Sequence, residues 1–194
     1  MRSSMPLLVV SVFLAACDAG SSVPTEASAA APAVEAARGI TSELRSPELM
    51  RDLARARAAT GKYHSFDVAH GERYDFLFMN MCMDDAAGGM GYHYVNLGLL
   101  DGEVEIEHPE AVMYEPMPNG ERRLVGLEYV IPKDAWEGEG LPTLFGQPLE
   151  LNGFDLYALH VWLWKDNPEG IFEPWNPTVS CADAPTTESA RSHH

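Results

Sequence analysis

Positive charge is scarce in this chain: 13 lysines and arginines stand against 29 aspartates and glutamates, a net charge of -16. Nucleic acid is bound through clustered Lys and Arg on its phosphates, so this composition does not suit a nucleic-acid partner. Nor does it offer anything to anionic lipid headgroups. Long apolar runs are missing as well. The stretch Leu7 to Ala16 is about ten residues, roughly half of what a membrane-spanning helix needs. The common catalytic signatures are absent too: there is no G-x-S-x-G, Walker loop, dinucleotide fingerprint, H-E-x-x-H or C-x-x-C.

What is present begins at the N-terminus. "MRSSMPLLVVSVFLAAC" places Arg2 before a short apolar run and small residues before Cys17, the layout of an export signal. The run ending in "LAAC" resembles the lipobox of bacterial lipoproteins. That resemblance implies removal of residues 1–16, acylation of Cys17 (palmitate among the chains), and attachment to the bacterial cell membrane facing the periplasm or exterior. Asp18 resembles an inner-membrane retention signal. Ala, Ser, Pro and Thr dominate "DAGSSVPTEASAAAPAVEAARGITSE", which cannot bury enough surface to offset its ordering entropy. Residues 17–44 therefore read as a flexible tether, 45–181 as a single globular domain, and 182–194 as a disordered tail.

Cysteine is sparse, with three in the chain. If Cys17 carries lipid, Cys82 and Cys181 remain, and an even pair in an exported chain points to a disulfide. The other reading is two free thiols.

The domain reads as α+β: one N-terminal helix, then a curved antiparallel sheet or partial β-barrel of five to six strands. "SPELMRDLARARAATGKY" has a capping Ser46 and Pro47 at the first helical position. Its apolar stripe is read as Met50, Leu53, Ala54 and Arg57, with continuation to about Ala69. The strand candidates are "RYDFLFM", "MGYHYVNLGLL", "GEVEIE", "EAVMYEP", "RRLVGLEYVIP" and "DLYALHVWLWK". Asn119-Gly120 predicts a two-residue type I′ hairpin, which sets Glu115 against Leu124, Met113 against Gly126 and Ala111 against Glu128. That register puts Val125 with Val112 and Tyr114 on the core face and Leu124 on the other, and it sets Glu115 diagonal to Arg122 for an ion pair. "DNPEG" predicts a turn led by Pro168.

Three places carry possible chemistry. Met79, Met81 and Met83 alternate, which suits either a Cu(I) site or, the preferred reading, methionine filling a core. "DGEVEIEHPE" suits either a calcium site, without the spacing of the helix-loop-helix type, or, the preferred reading, the wet face of a half-buried strand. His93 and His160 each stand mid-strand among apolar residues, and a buried imidazole must be hydrogen-bonded or ligate something. Each alone reads as a structural histidine. With Glu128, a carboxylate in the apolar run "LVGLEYVI", they form a possible two-histidine, one-carboxylate set for Zn or Fe. Tyr92, Tyr94 and Trp162 are expected to wall a small-molecule ligand beside it.

"MGYHYVN", "RLVGLEY" and "LHVWLWKDNPEGIFEPWNPTVSC" resemble a family of uncharacterised exported bacterial proteins, over roughly residues 80–181. The resemblance implies a shared fold and a common Cys82–Cys181 bridge, and supplies no reaction. Three functions follow as expectations: an envelope lipoprotein binding a metal ion or small molecule, a metal-dependent enzyme using His93, Glu128 and His160, or a structural or partner-binding module. For the anchor, Cys17→Ser is expected to leave the protein soluble or unprocessed on cell fractionation. A processed, membrane-bound variant would refute it.

Overall fold

The Ser46 hydroxyl accepts a hydrogen bond from Leu49 N at 3.1 Å, and Pro47 fills the first helical position, so α1 runs Pro47–Thr60. Such a cap contributes about 1 kcal/mol. The computed structural model describes residues 46–185; Cys17, the signal and the rest of the tether lie outside them, as does the end of the tail. The helix does not continue to Ala69. Gly61 opens a 3-10 turn, Gly61–His64, and a short second helix α2, Phe66–Gly71, follows. Glycine is a poor helix former, and Ser65 between the two is extended. The buried stripe of α1 is Leu49, Leu53, Ala56 and Thr60, while Met50 is exposed.

The strands are β1 (Phe76–Leu77), β2 (Met83–Asp85), β3 (Gly88–Val95), β4 (Ala111–Pro116), β5 (Arg122–Pro132), β6 (Thr143–Leu144), β7 (Gln147–Pro148), β8 (Glu150–Leu151) and β9 (Leu156–Val161). The main sheet is antiparallel in the order β1-β3-β4-β5-β9-β8, with β2 also paired to β3, and β6-β7 stand apart as a hairpin. It is an open sheet, not a closed barrel. "GEVEIE" makes no strand; it forms an isolated bridge between Glu105 and His108, although Val104 and Ile106 still pack on the core.

The helices cover one face. Leu49, Leu53, Ala56 and Tyr63 join Tyr92, Tyr94, Val112, Tyr114, Leu127 and Tyr129 in one cluster. Three buried tyrosines tie this layer together by donating to backbone carbonyls: Tyr74 to Pro109, Tyr114 to Tyr63 and Tyr129 to Ile106. Burial without such partners would cost about 1–3 kcal/mol each.

The β4–β5 hairpin differs from its sequence reading in two compensating ways. Gly120 N donates to Met117 O, and Met117 N donates to Glu121 O, so the loop has three residues, Pro118, Asn119 and Gly120. Gly120 takes the left-handed conformation (φ 81°) that closes a type I turn of this kind. Pro118 has no N–H to donate to Glu121 O, so it cannot close the expected two-residue loop. Both central residues of the β6–β7 loop, Phe145 and Gly146, have positive φ, so the primed geometry occurs there instead. A bulge in β5 then offsets the longer loop. Tyr114 pairs Leu124 and Met113 pairs Gly126, leaving Val125 as the extra residue. Met113–Gly126 and Ala111–Glu128 therefore stand in the expected register, but Leu124 and Val125 exchange faces. Glu115 now opposes Arg123 rather than Leu124. Its carboxylate accepts from Lys165 Nζ at 2.6 and 2.8 Å and from Ser180 N at 3.0 Å, while Arg122 turns to the Tyr94 hydroxyl.

Those bonds hold the C-terminal segment across the second face. Asn167 and Gly170 close the Pro168 turn, and Asn176 bridges Gly89. At Gly89 an added Cβ would stand 2.7 Å from Val179 O, so only glycine admits this approach. Cys181 is joined to Cys82, 99 residues away in sequence. Met79 and Met81 are not core: they are 52% and 49% exposed, because residues 78–80 form a turn with Met79 at φ 55° instead of strand. Replacing both Cys82 and Cys181 by alanine is expected to lower the unfolding free energy by roughly 2–5 kcal/mol in urea titration. A loss below about 1 kcal/mol would show that contacts alone hold the segment.

Candidate metal centre

β5 is the middle of the site. Glu128 pairs directly with His160 on β9 and with Ala111 on β4, and His93 on β3 pairs with Met113, two residues along β4. By strand parity all of these side chains point to the face away from the helices. β3 and β9 are three inter-strand steps apart, about 14 Å in a flat sheet. Yet His93 Nε2 lies 3.4 Å from His160 Nε2. The sheet must curl toward this face, and the Val125 bulge, which bends and twists its strand, sits three residues from Glu128. Ala111, the small side chain beside Glu128, leaves room between the strands.

The carboxylate completes the set. Glu128 Oε2 is 3.8 Å from His93 Nε2, and Glu128 Oε1 is 3.6 Å from His160 Nε2. One ligand atom from each of the three residues falls within a 4.8 Å circle of mutual distances. His93 and His160 are 2% and 7% exposed. Burial drives both imidazoles toward the neutral form, to about 4 for His93 and, with His93 adding to the effect, to about 3 for His160. Burial pushes the Glu128 carboxyl up to about 7. The contacts to Glu128 are too long for hydrogen bonds. His93 Nδ1 is buried without a hydrogen-bond partner; the Gly91 backbone contributes an attraction but falls short of bonding geometry. Buried polar groups are usually satisfied. That orphan lies on the other side of the ring from the triad; the facing atoms themselves are joined only by the 3.4 Å Nε2–Nε2 contact, and their spacing suits a shared cation.

The three residues grouped in the sequence reading do lie together, but the expected wall does not. Tyr92 and Tyr94 flank His93 on a strand, so they face the helices and belong to the core there. Parity alone excludes them. Trp162 does lie on the site face, stacked near His160 at 6.4 Å between ring centroids, with Nε1 donating to Glu173 O. It packs with Met113, Val125 and Val179 and does not line the chamber.

That chamber is a cavity of about 870 Å³ with the triad among its lining residues. Its walls include Phe76, Phe78, Leu97, Phe154, Leu156 and Trp175. Phe78, just after edge strand β1, meets Phe154, in the turn between edge strand β8 and its neighbour β9, edge-on at 5.1 Å. The two ends of the curled sheet therefore touch across the chamber. No sequence signal placed residues 147–156 there. Glu110 does not share the wet face read for "DGEVEIEHPE". It is buried, accepts from Val130 N at 2.8 Å, and burial pushes its carboxyl up to about 8.

Comparison with known proteins finds no matching family model, no matching curated sequence and no matching solved structure.

These buried groups fix a pH dependence for the metal-free fold. Glu110 and Glu128 have raised values, so their contribution is complete below about 4.5 and is lost as pH rises to about 8 and 7. His93 and His160 have lowered values, so theirs is present above about 6.5 and is lost as pH falls toward 4 and 3. Between about 4.5 and 6.5 the two pairs oppose each other; above 6.5 only the carboxyls act. In chelator, stability by urea titration is expected to fall from pH 6.5 to pH 8 by on the order of 2 kcal/mol. Glu110→Gln should remove most of that fall, and a rise over this window would contradict the assignment.

Proposed function

We propose that this chain is a bacterial envelope lipoprotein whose folded domain binds a divalent metal ion, best matched by Zn, on His93, Glu128 and His160. The carrying observation is the mutual spacing of 3.4, 3.6 and 3.8 Å among the three donor groups. Tetrahedral ligands at about 2.05 Å from a metal stand roughly 3.3 Å apart, and octahedral neighbours at about 2.1 Å stand roughly 3.0 Å apart. The observed distances sit on the tetrahedral side, which favours Zn over Fe. Neutral imidazoles need lose no proton to ligate. Zn on three protein ligands acts as a Lewis acid toward a neutral donor or water in the remaining position, and the triad lines the cavity, so that position would face it.

Binding is preferred to catalysis. Among the described lining residues there is no serine, threonine, cysteine or lysine, so the catalytic reading would depend on metal-bound water as its nucleophile, whereas binding needs only the three ligands. The envelope location rests on the Cys17 lipobox and on the resemblance to exported bacterial proteins. A purely structural module would fill this face with packed apolar side chains; here it carries a chamber with two buried imidazoles and a carboxylate.

Metal analysis of protein purified without chelator is expected to find close to one Zn per chain. His93→Ala and His160→Ala should each abolish it. Their effects on stability in the presence of Zn should be strongly non-additive, since either change empties the site, whereas independent sites add within about 0.5 kcal/mol. Additive losses and no bound metal in the wild type would overturn the proposal.

A further inference from the structure

The chamber above the triad has its own chemistry. We infer that it holds an uncharged, mainly apolar organic molecule, admitted through a ring of exposed apolar side chains and reaching inward to the triad. The inference rests on the proposed metal site only for what the molecule's inner end meets.

Four observations carry it. The chamber, about 870 Å³, lies within the range of pockets that enclose small organic ligands. Among its described lining residues there is no lysine or arginine; the ionisable ones are Glu128, Glu150, Glu173 and the two histidines. An anion entering it would lose its water and meet no cationic side chain on the walls, so that only a metal at the floor could offset the cost. At the mouth, Phe76, Leu97, Leu151 and Phe154 all line the chamber and are 43% to 51% exposed. Four large apolar side chains left in water around one opening mark a binding site better than a plain surface. Lastly, the walls come from separate parts of the chain, the β1 end, the β8–β9 turn and the C-terminal segment, yet converge through the Phe78–Phe154 contact.

The floor and the walls can be tested separately. The face of β9 that carries His160 also carries Ala158 and Leu156, both chamber-lining, so Ala158→Trp puts an indole into the space. Val130→Trp does so from β5, where Val130 pairs with Ala158. Leu97→Lys puts a positive charge at the exposed mouth and leaves the interior alone.

The probes are N-phenylnaphthylamine, which is neutral, and its sulfonated counterpart anilinonaphthalene sulfonate, titrated by fluorescence into chelator-treated full-length protein. The neutral probe is expected to bind at one site per chain. The anionic probe should bind at least about tenfold more weakly. Ala158→Trp or Val130→Trp, whichever retains wild-type circular dichroism, should weaken the neutral probe by about tenfold or more. Leu97→Lys should narrow the gap between the probes. The inference is overturned if the neutral probe does not bind, if the two probes bind equally, or if both filling variants leave binding unchanged. Neutral-probe binding in protein that takes up no Zn leaves this inference standing and removes the metal reading. Zn uptake without probe binding does the reverse.

Discussion

Two imidazoles and a carboxylate buried at one spot on a sheet are the constraint on which the rest of this structure turns. An isolated charge there would cost several kcal/mol, and groups in that position respond by becoming neutral or by sharing a counter-charge. His93, His160 and Glu128 show the first response in the absence of a metal. Their spacing is suited to the second. The two faces of the sheet divide accordingly. The helix side is an aromatic and aliphatic core in which the hydroxyls of Tyr74, Tyr114 and Tyr129 each find a carbonyl. The other side is walled by loops and the C-terminal segment, and it is here that the polar groups sit.

Position on the sheet follows from register, and register follows from one hairpin. A three-residue loop moves β5 by one residue against β4, and the Val125 bulge moves it back. Without the bulge, Glu128 would turn toward the helices and the triad would lose its carboxylate. The bulge has a second effect, since the added twist helps bring β3 and β9 together at their side chains although two strands' worth of backbone lie between them.

The triad was legible because its members break local rules. Each is an ionisable residue where an apolar one fits the strand pattern, and three such breaks in separate strands are a signal. The cap at Ser46 and the Pro168 turn were legible for similar reasons of local chemistry, whereas the pairing of Ala111 with Glu128 matched only because the bulge offset the longer loop. The break after Thr60 and the exposure of Met79 and Met81 were not. A glycine within a helical pattern is often tolerated, and the turn at residues 78–80 depends on a left-handed Met79 that no propensity favours. The exchange of Leu124 and Val125 was hidden because a bulge leaves no mark in an alternating apolar run. The chamber was hidden for a deeper reason. Its walls come from distant parts of the chain and exist only once the sheet has curled.

The contrast between floor and walls bears on how such a site works. Glu128 and His160 are held by backbone pairing on adjacent strands, and His93 by β3 against β4. Donor groups on paired strands keep their spacing, which a metal with fixed bond lengths requires. The mouth is built differently. Phe78 and Phe154 bring opposite ends of the sheet together through ring contact, worth about 0.5–1.5 kcal/mol beyond area burial, and not through strand pairing. A gap of that size can open without unpairing the floor. Cys82, joined to Cys181, anchors the chain two residues beyond Asn80, so movement at Phe78 is bounded on that side. A rigid polar floor under a loosely joined apolar mouth would suit the proposed pairing of a fixed metal with an exchangeable organic ligand.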